Sequence, residues 1–303
     1  MKRVTAREFV HPEDRAALEN MKSIPLFSQC VKLFLKVVNE QLLHGVNMAT
    51  KIRLGPNQLP EIYRILPPIC ERFGIDEPEL YLEHGRANAY TFGDTRVFIT
   101  VTSGLIECME EDELTAVIAH ECGHIVCQHV LYHTMAHLLT EYGPMILGPL
   151  EAVSQPVQLG LQYWSRRSEL SADRAAAVYM KDPRPVVDTM IRLAGGPKAV
   201  TDEVNVDLYM KQAEAYDKLI DSQWDKLLQG VAIMHASHPF LSVRTREIMQ
   251  WAESEQFRKL VQALNELDVG EKCPECGGLV REGWKFCGQC GARVAGTSTV
   301  AMQ

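Results

Sequence analysis

The chain has 303 residues, of which 46% are hydrophobic and 23% charged, with a formal net charge of −8. That length can bury one full hydrophobic core and carry a small appendage, and the composition is that of a globular protein. The acidic balance argues against a general nucleic-acid binder, which needs a basic face.

The start, Met1 to Glu8, has no apolar run, so no signal peptide is expected. Residues 1–23 are polar and charged and are expected as a helical or loose N-terminal arm. Over 31–43 the apolar positions are interrupted by Lys32, Lys36, Asn39, Glu40 and Gln41. This predicts an amphipathic helix, too short to span a bilayer. A second amphipathic helix is predicted over 59–73, its start marked by Asn57 and Pro60. Strands are predicted at 80–84, 87–92 and 96–101, with a turn at Gly93-Asp94. An exposed edge of this small sheet would offer main-chain hydrogen bonds to an extended peptide.

A long helix is predicted over 109–139 from the spacing of Leu114, Val117, Ile118, Ile125 and Val126. Its acidic start, Glu110 to Glu113, suits the positive end of a helix dipole. Within it lies His120-Glu121-Cys122-Gly123-His124. Two histidines four residues apart on a helix share a face and can bind one metal ion. The glutamate beside the first can take a proton from a water on that metal. Zinc needs a third protein ligand and an open position. A histidine six residues after the second is absent, because position 130 is valine. Glu169 is the candidate, with Asp173 four residues on and hence on the same helical face. Asp173 is then placed to hydrogen-bond a ligand histidine and set its tautomer. Beyond His124, the repeat His129, His133 and His137 falls about half a turn out of phase with His120 on one continuous helix. These three are expected to face away from the site as a solvated or capping stripe.

With these residues in order, the chain resembles the gluzincin zinc peptidases related to the CaaX prenyl endopeptidase and the membrane protease HtpX. The resemblance covers most of residues 24–265. It is carried by Asn88-Ala89-Tyr90, Thr100 to Leu105, Asp112-Glu113-Leu114, the two-histidine motif, Glu169 with Ala172-Asp173, and His238-Pro239 with Arg244. It implies Glu121 as general base and His120, His124 and Glu169 as ligands of a catalytic Zn2+, with Asp173 behind them. His238 and Arg244 would lie near the site. Arg244, or its neighbour Arg246, would either order the zinc helices or stabilise the oxyanion. Asn88, Ala89 and Tyr90 would line the substrate strand. The membrane spans of those relatives are not matched here, so their location does not transfer.

The apolar stretch 143–164 is interrupted by Glu151, three glutamines and prolines 144, 149 and 156, too polar for a span. It is expected as a helical flap beside the cleft, with peripheral membrane attachment as the other reading. Further helices are predicted over 185–193, 206–230 and 245–267. The C-terminal end holds Cys273-Pro274-Glu275-Cys276 and Cys287-Gly288-Gln289-Cys290. Four thiolates in two such pairs make a closed structural zinc site, here expected as a zinc ribbon with a hairpin over 279–286. Cys30, Cys70, Cys108, Cys122 and Cys127 are expected as free thiols, which suits a reducing cytoplasm.

The expected fold class is α+β, mainly helical. It comprises an arm at 1–23, a metallopeptidase domain at 24–268 with a small sheet beside the zinc helix, a zinc ribbon at 269–295, and a disordered tail at 296–303. The expected activity is zinc-dependent endopeptidase cleavage of protein or peptide substrates. The alternative is an inactive relative that uses the ribbon, through Trp284 and Phe286, to dock a protein partner. No nucleic-acid partner is expected.

Overall fold

The computed structural model describes residues 4–148, 151–218, 240–267, 271–276, 279–280, 286 and 290–294. Of the helical and loose readings of residues 1–23, their described part takes the helical one over α1 (Pro12–Lys22), which buries Asp14, Ala17 and Met21. The helix expected over 31–43 is instead two, α2 (Phe27–Val37) and α3 (Glu40–Thr50). Asn39 breaks the run because its Oδ1 caps α3, accepting from Gln41 N at 2.8 Å. The helix expected over 59–73 also divides, into α4 (Pro60–Tyr63) and α5 (Leu66–Phe73). Pro67 and Pro68 carry no N–H, so they can open a helix but not continue one.

Four strands form one sheet: β1 (Ile52–Arg53), β2 (Glu79–Glu83), β3 (Ala89–Gly93) and β4 (Val97–Thr102), in the order β1-β2-β4-β3. β2 and β4 are parallel, and β3 is antiparallel to β4 with Thr91 opposite Ile99. β3 is therefore an edge strand of this sheet. The short helix α6 (Ser103–Cys108) leads into α7 (Glu111–Val126), which carries the two-histidine motif. Reciprocal hydrogen bonds between Glu110 and Glu113 cap its start.

The expected single helix over 109–139 ends at Cys127. Gln128 adopts φ +60°, and α8 (Val130–Leu147) starts afresh. Gln128 N donates to Ile125 O at 3.0 Å and His129 N to His124 O at 2.9 Å. This pair of bonds around a left-handed residue is a Schellman ending, here without the usual glycine.

α9 (Glu151–Met180) is a helix of 30 residues with Pro156 inside it. One face of the stretch expected as a flap is core: Val157, Leu161 and Trp164 are fully buried with Phe27, Phe34 and Met135, whereas Leu159 and Tyr163 are exposed. Farther along, Ala175 and Ala176 are buried in the main core, where this helix packs against α7. A Cβ on Gly123 would stand 2.8 Å from Ala175 Cβ and 3.0 Å from Ala172 Cα. Glycine at 123 is what lets α7 and α9 approach so closely.

α10 (Arg184–Gly195), α11 (Lys198–Thr201) and α12 (Val206–Lys218) follow. The helix expected over 245–267 is α13 (Leu241–Ala252) and α14 (Glu255–Leu267). Ser254 divides them, its Oγ accepting from Phe257 N at 3.2 Å. Near the C-terminus, β5 (Glu271–Lys272) pairs antiparallel with β6 (Leu279–Val280). The strand at 279 thus pairs backward with 271–272, and Phe286 bridges to Arg293. Among the described residues, no helix is long and apolar enough to cross a membrane.

His11 caps α1, its Nδ1 accepting from Glu13 N at 3.1 Å. Burial, then the charges of Arg174 and Arg167, push its pKa down to about 4 against the opposing charge of Asp14. The unfolded chain takes up this proton near the ordinary 6.5 and the folded chain does not. The contribution is thus present above pH 6.5 and is lost as pH falls towards 4. His11→Asn keeps a capping oxygen and removes the titration. Urea unfolding should show the variant losing about 1 kcal/mol less than the parent between pH 7 and pH 5, after allowance for solvent screening. Equal losses would remove His11 from the acid response.

Candidate active site

α7 and α9 bring His120, His124 and Glu169 together in a buried cluster. The Nε2 atoms of the two histidines are 3.2 Å apart. Glu169 places Oε2 3.6 Å from His120 Nε2 and Oε1 3.4 Å from His124 Nε2. Tetrahedral N and O donors at zinc bond lengths stand about 3.3–3.5 Å apart, so this donor set fits a zinc ion.

The Nδ1 atom of each ring is turned away from that point. Asp173 Oδ1 lies 3.0 Å from His120 Nδ1, which leaves His120 Nε2 its lone pair. Arg244 in turn holds the acids. Its Nε and Nη2 donate to the two Asp173 oxygens at 2.8 and 2.6 Å, and its Nη1 donates to Glu169 Oε2 at 2.7 Å. Burial opposes charge on all of these groups. For Asp173, the charge and hydrogen bonds of Arg244, then those of His120, hold the carboxyl below its ordinary range against burial. For His120, hydrogen bonds to Asp173 and Glu169 outweigh burial and push the pKa up to about 10. For His124, burial wins over Glu169 and the pKa falls.

Glu121 is 1% exposed. Its Oε2 accepts from Thr91 Oγ1 at 2.6 Å, which ties the carboxylate to edge strand β3. Its Oε1 has no hydrogen-bond partner among the described residues. A cavity of about 30 Å³ adjoins His120, Glu121 and Arg244, with Ala89, Val117 and Met190 in its walls. That is room for one water. Sequence reading passed over Thr91, although it directly follows Asn88-Ala89-Tyr90 in the same segment.

The remaining sequence candidates are placed as follows. Ala89 borders the cavity, whereas Tyr90 turns its hydroxyl to Lys51 Nζ (2.7 Å) and Glu83 Oε2 (2.6 Å). Asn88 N donates to Thr102 Oγ1 at 2.9 Å, beside the sheet. Arg246 points to Asp217 and Glu247, not to the cluster. His238 lies outside the described residues, as do Cys287 and Trp284. Cys273, Cys276 and Cys290 converge, with Cys273 Sγ and Cys290 Sγ 3.7 Å apart. Thiolates on one tetrahedral zinc stand about 3.8 Å apart.

The histidine stripe requires a correction. His129 is buried, with Nδ1 3.1 Å from His124 Nδ1, and the His133 ring lies 4.5 Å from that of His124. The helix break at Gln128 resets the phase and folds both back onto the site. The His137 ring lies 4.9 Å from that of Phe92 of β3, tilted at 45° to it.

Comparison with known proteins shows the family. The family model "Peptidase family M48" matches residues 56–252. The plastoglobule-localized metallopeptidase 48 of Arabidopsis thaliana is 32% identical over 274 residues, covering 89% of this chain and 80% of that protein. A protease HtpX homologue of Trichormus variabilis is 28% identical over 147 residues, covering 46% of this chain and 48% of its own length. Against that relative the match spans about half its length. Among solved structures, S. mikatae Ste24p aligns with 77% of this chain and 60% of that one at TM-score 0.38 and 17% identity. The chain belongs to peptidase family M48 and is a metalloprotease.

Proposed function

We propose that this metalloprotease is a zinc-dependent endopeptidase in which His120, His124 and Glu169 hold the metal and Glu121 is the general base. One observation carries the reading: three buried donors converge at zinc-ligand separations, and Glu121, whose Oε1 has no hydrogen-bond partner among the described residues, borders one cavity with His120. Zinc, when bound there, lowers the pKa of its water to about 7 and polarises the scissile carbonyl. Glu121 Oε1 accepts the proton of the attacking water and returns it to the leaving amine. Thr91 occupies Oε2 and so aims Oε1. Asp173 fixes the tautomer of His120, and Arg244 fixes Asp173 and Glu169, which supports an ordering role for this arginine. The substrate strand docks along β3 near Ala89 by main-chain hydrogen bonds. His238 is retained as a further catalytic candidate on the sequence resemblance.

Cys273, Cys276, Cys287 and Cys290 are proposed to hold a second, structural zinc in a ribbon over 269–295, appended to the peptidase domain. Phe286, 60% exposed, supports a protein partner at this end. The free thiols at Cys30, Cys70, Cys108, Cys122 and Cys127 support a reducing compartment such as the cytoplasm.

Metal content and hydrolysis of an unfolded protein by the full chain test the reading. We expect two zinc ions per chain, one lost in His120→Ala and the other in Cys273→Ser. Chelation should abolish cleavage and added zinc restore it. Cleavage that survives His120→Ala would overturn the assignment.

A further inference from the structure

His124 has a partner that the motif does not predict. With Nε2 of His124 turned to the metal, its other ring nitrogen carries the proton. That nitrogen faces His129 Nδ1 at 3.1 Å. His129 Nδ1 therefore accepts, and His129 carries its own proton on Nε2. The Nε2 of His129 lies 3.0 Å from Asp14 Oδ2. The opposite order would set an imidazole lone pair against a buried carboxylate. Asp14 is itself fully engaged: Ser171 Oγ donates to Oδ2 at 2.6 Å and Trp164 Nε1 to Oδ1 at 2.9 Å. Asp14 and His129 are each 2% exposed. The Trp164 ring packs edge-on against His129 at 5.4 Å. The main chain adds a second tie, His129 N to His124 O at 2.9 Å across the left-handed Gln128.

We propose that His129 and Asp14 are positioning residues for the metal centre, holding His124 in the tautomer and orientation that turn its Nε2 towards His120 and Glu169. The arrangement mirrors that of Asp173 on His120, but it comes from the N-terminal helix α1, 106 to 110 residues before the motif. It makes α1 part of the catalytic machinery. The inference rests on the reading of His124 as a zinc ligand. Outer partners of this kind typically change metal affinity or activity by about 10–100-fold.

The experiment uses the full chain and follows the zinc ion that His120→Ala removes. Its loss to a chelator is timed in the parent, His129→Phe, His129→Asn and Asp14→Asn. His129→Phe keeps a ring of similar size but offers His124 no acceptor. It should release that zinc about 10–100-fold faster and lower kcat with little change in KM. His129→Asn can place Oδ1 where Nδ1 was and should recover a large part of the loss, which a purely packing role would not predict. Asp14→Asn should fall between the parent and His129→Phe. Unchanged zinc release in His129→Phe, or no recovery in His129→Asn, overturns the positioning role while leaving the zinc site intact. A parent with no zinc that depends on His120 overturns the site reading itself, and the positioning role with it.

Discussion

Glu121→Gln is expected to lower kcat on a peptide substrate by about 10²–10⁴-fold, the usual range for loss of a general base. The substitution is nearly isosteric, and a glutamine amide oxygen can still accept from Thr91 Oγ1, 2.6 Å from Oε2 in the parent. The metal donors are untouched, so zinc content should equal that of the parent. The loss should appear in kcat and in kcat/KM alike, because the proton transfer belongs to the transition state. Zinc analysis beside steady-state kinetics checks it. A variant with parental turnover would remove Glu121 as the base and reopen the question of which group activates water.

Arg244→Met is expected to cost about 3–5 kcal/mol of folding stability, the range for stripping one partner from a buried ion cluster. Arg244 is 5% exposed and serves three oxygens on two carboxylates. Its cation is stabilised above the ordinary arginine range by Asp173 and Glu169 despite burial. Without it, the buried Asp173 and Glu169 face each other with no guanidinium between them. Lysine is no substitute, since one ammonium cannot reproduce the planar fork that spans both acids. Arg246→Ala, two residues away, breaks partly exposed pairs with Asp217 and Glu247, its partners among the described residues, and should cost less than about 1 kcal/mol. Urea unfolding of both variants at pH 7 decides the matter. Equal losses would show that the buried network does not hold this part of the fold.

Much of the site is visible in the chain because it rests on local periodicity. His120 and His124, like Glu169 and Asp173, stand four apart, and any helix puts such pairs on one face. The ribbon cysteines are equally local, since each pair needs only one tight turn. Three helix boundaries were harder. Asn39, Pro67-Pro68 and Ser254 are ordinary breaking or capping residues, but each lies inside a run whose apolar spacing continues across it. Gln128 is a stronger case. Glutamine is a good helix former, and a left-handed glutamine costs about 1–2 kcal/mol that no residue pattern announces. The tertiary contacts of the following helix, including Thr134 on Gly93 at 3.1 Å, hold the chain in that turn.

By itself, then, the sequence determined the helix that bears the metal motif, the acids four apart on a later helix, the small sheet before them and the cysteine pairs behind. Each is set by spacing within about one or two turns. Only the tertiary structure decided that Gly123 lets α7 and α9 close to zinc-ligand distance, that Thr91 grips Glu121, and that Arg244 rather than Arg246 binds the acids. It also decided that a break at Gln128 swings His129 onto His124, with Asp14 behind it. Apart from His129 on His124, five positions away, these contacts join residues 30 to 115 positions apart, and their hydrogen bonds form only once a packed core has excluded water and fixed their geometry.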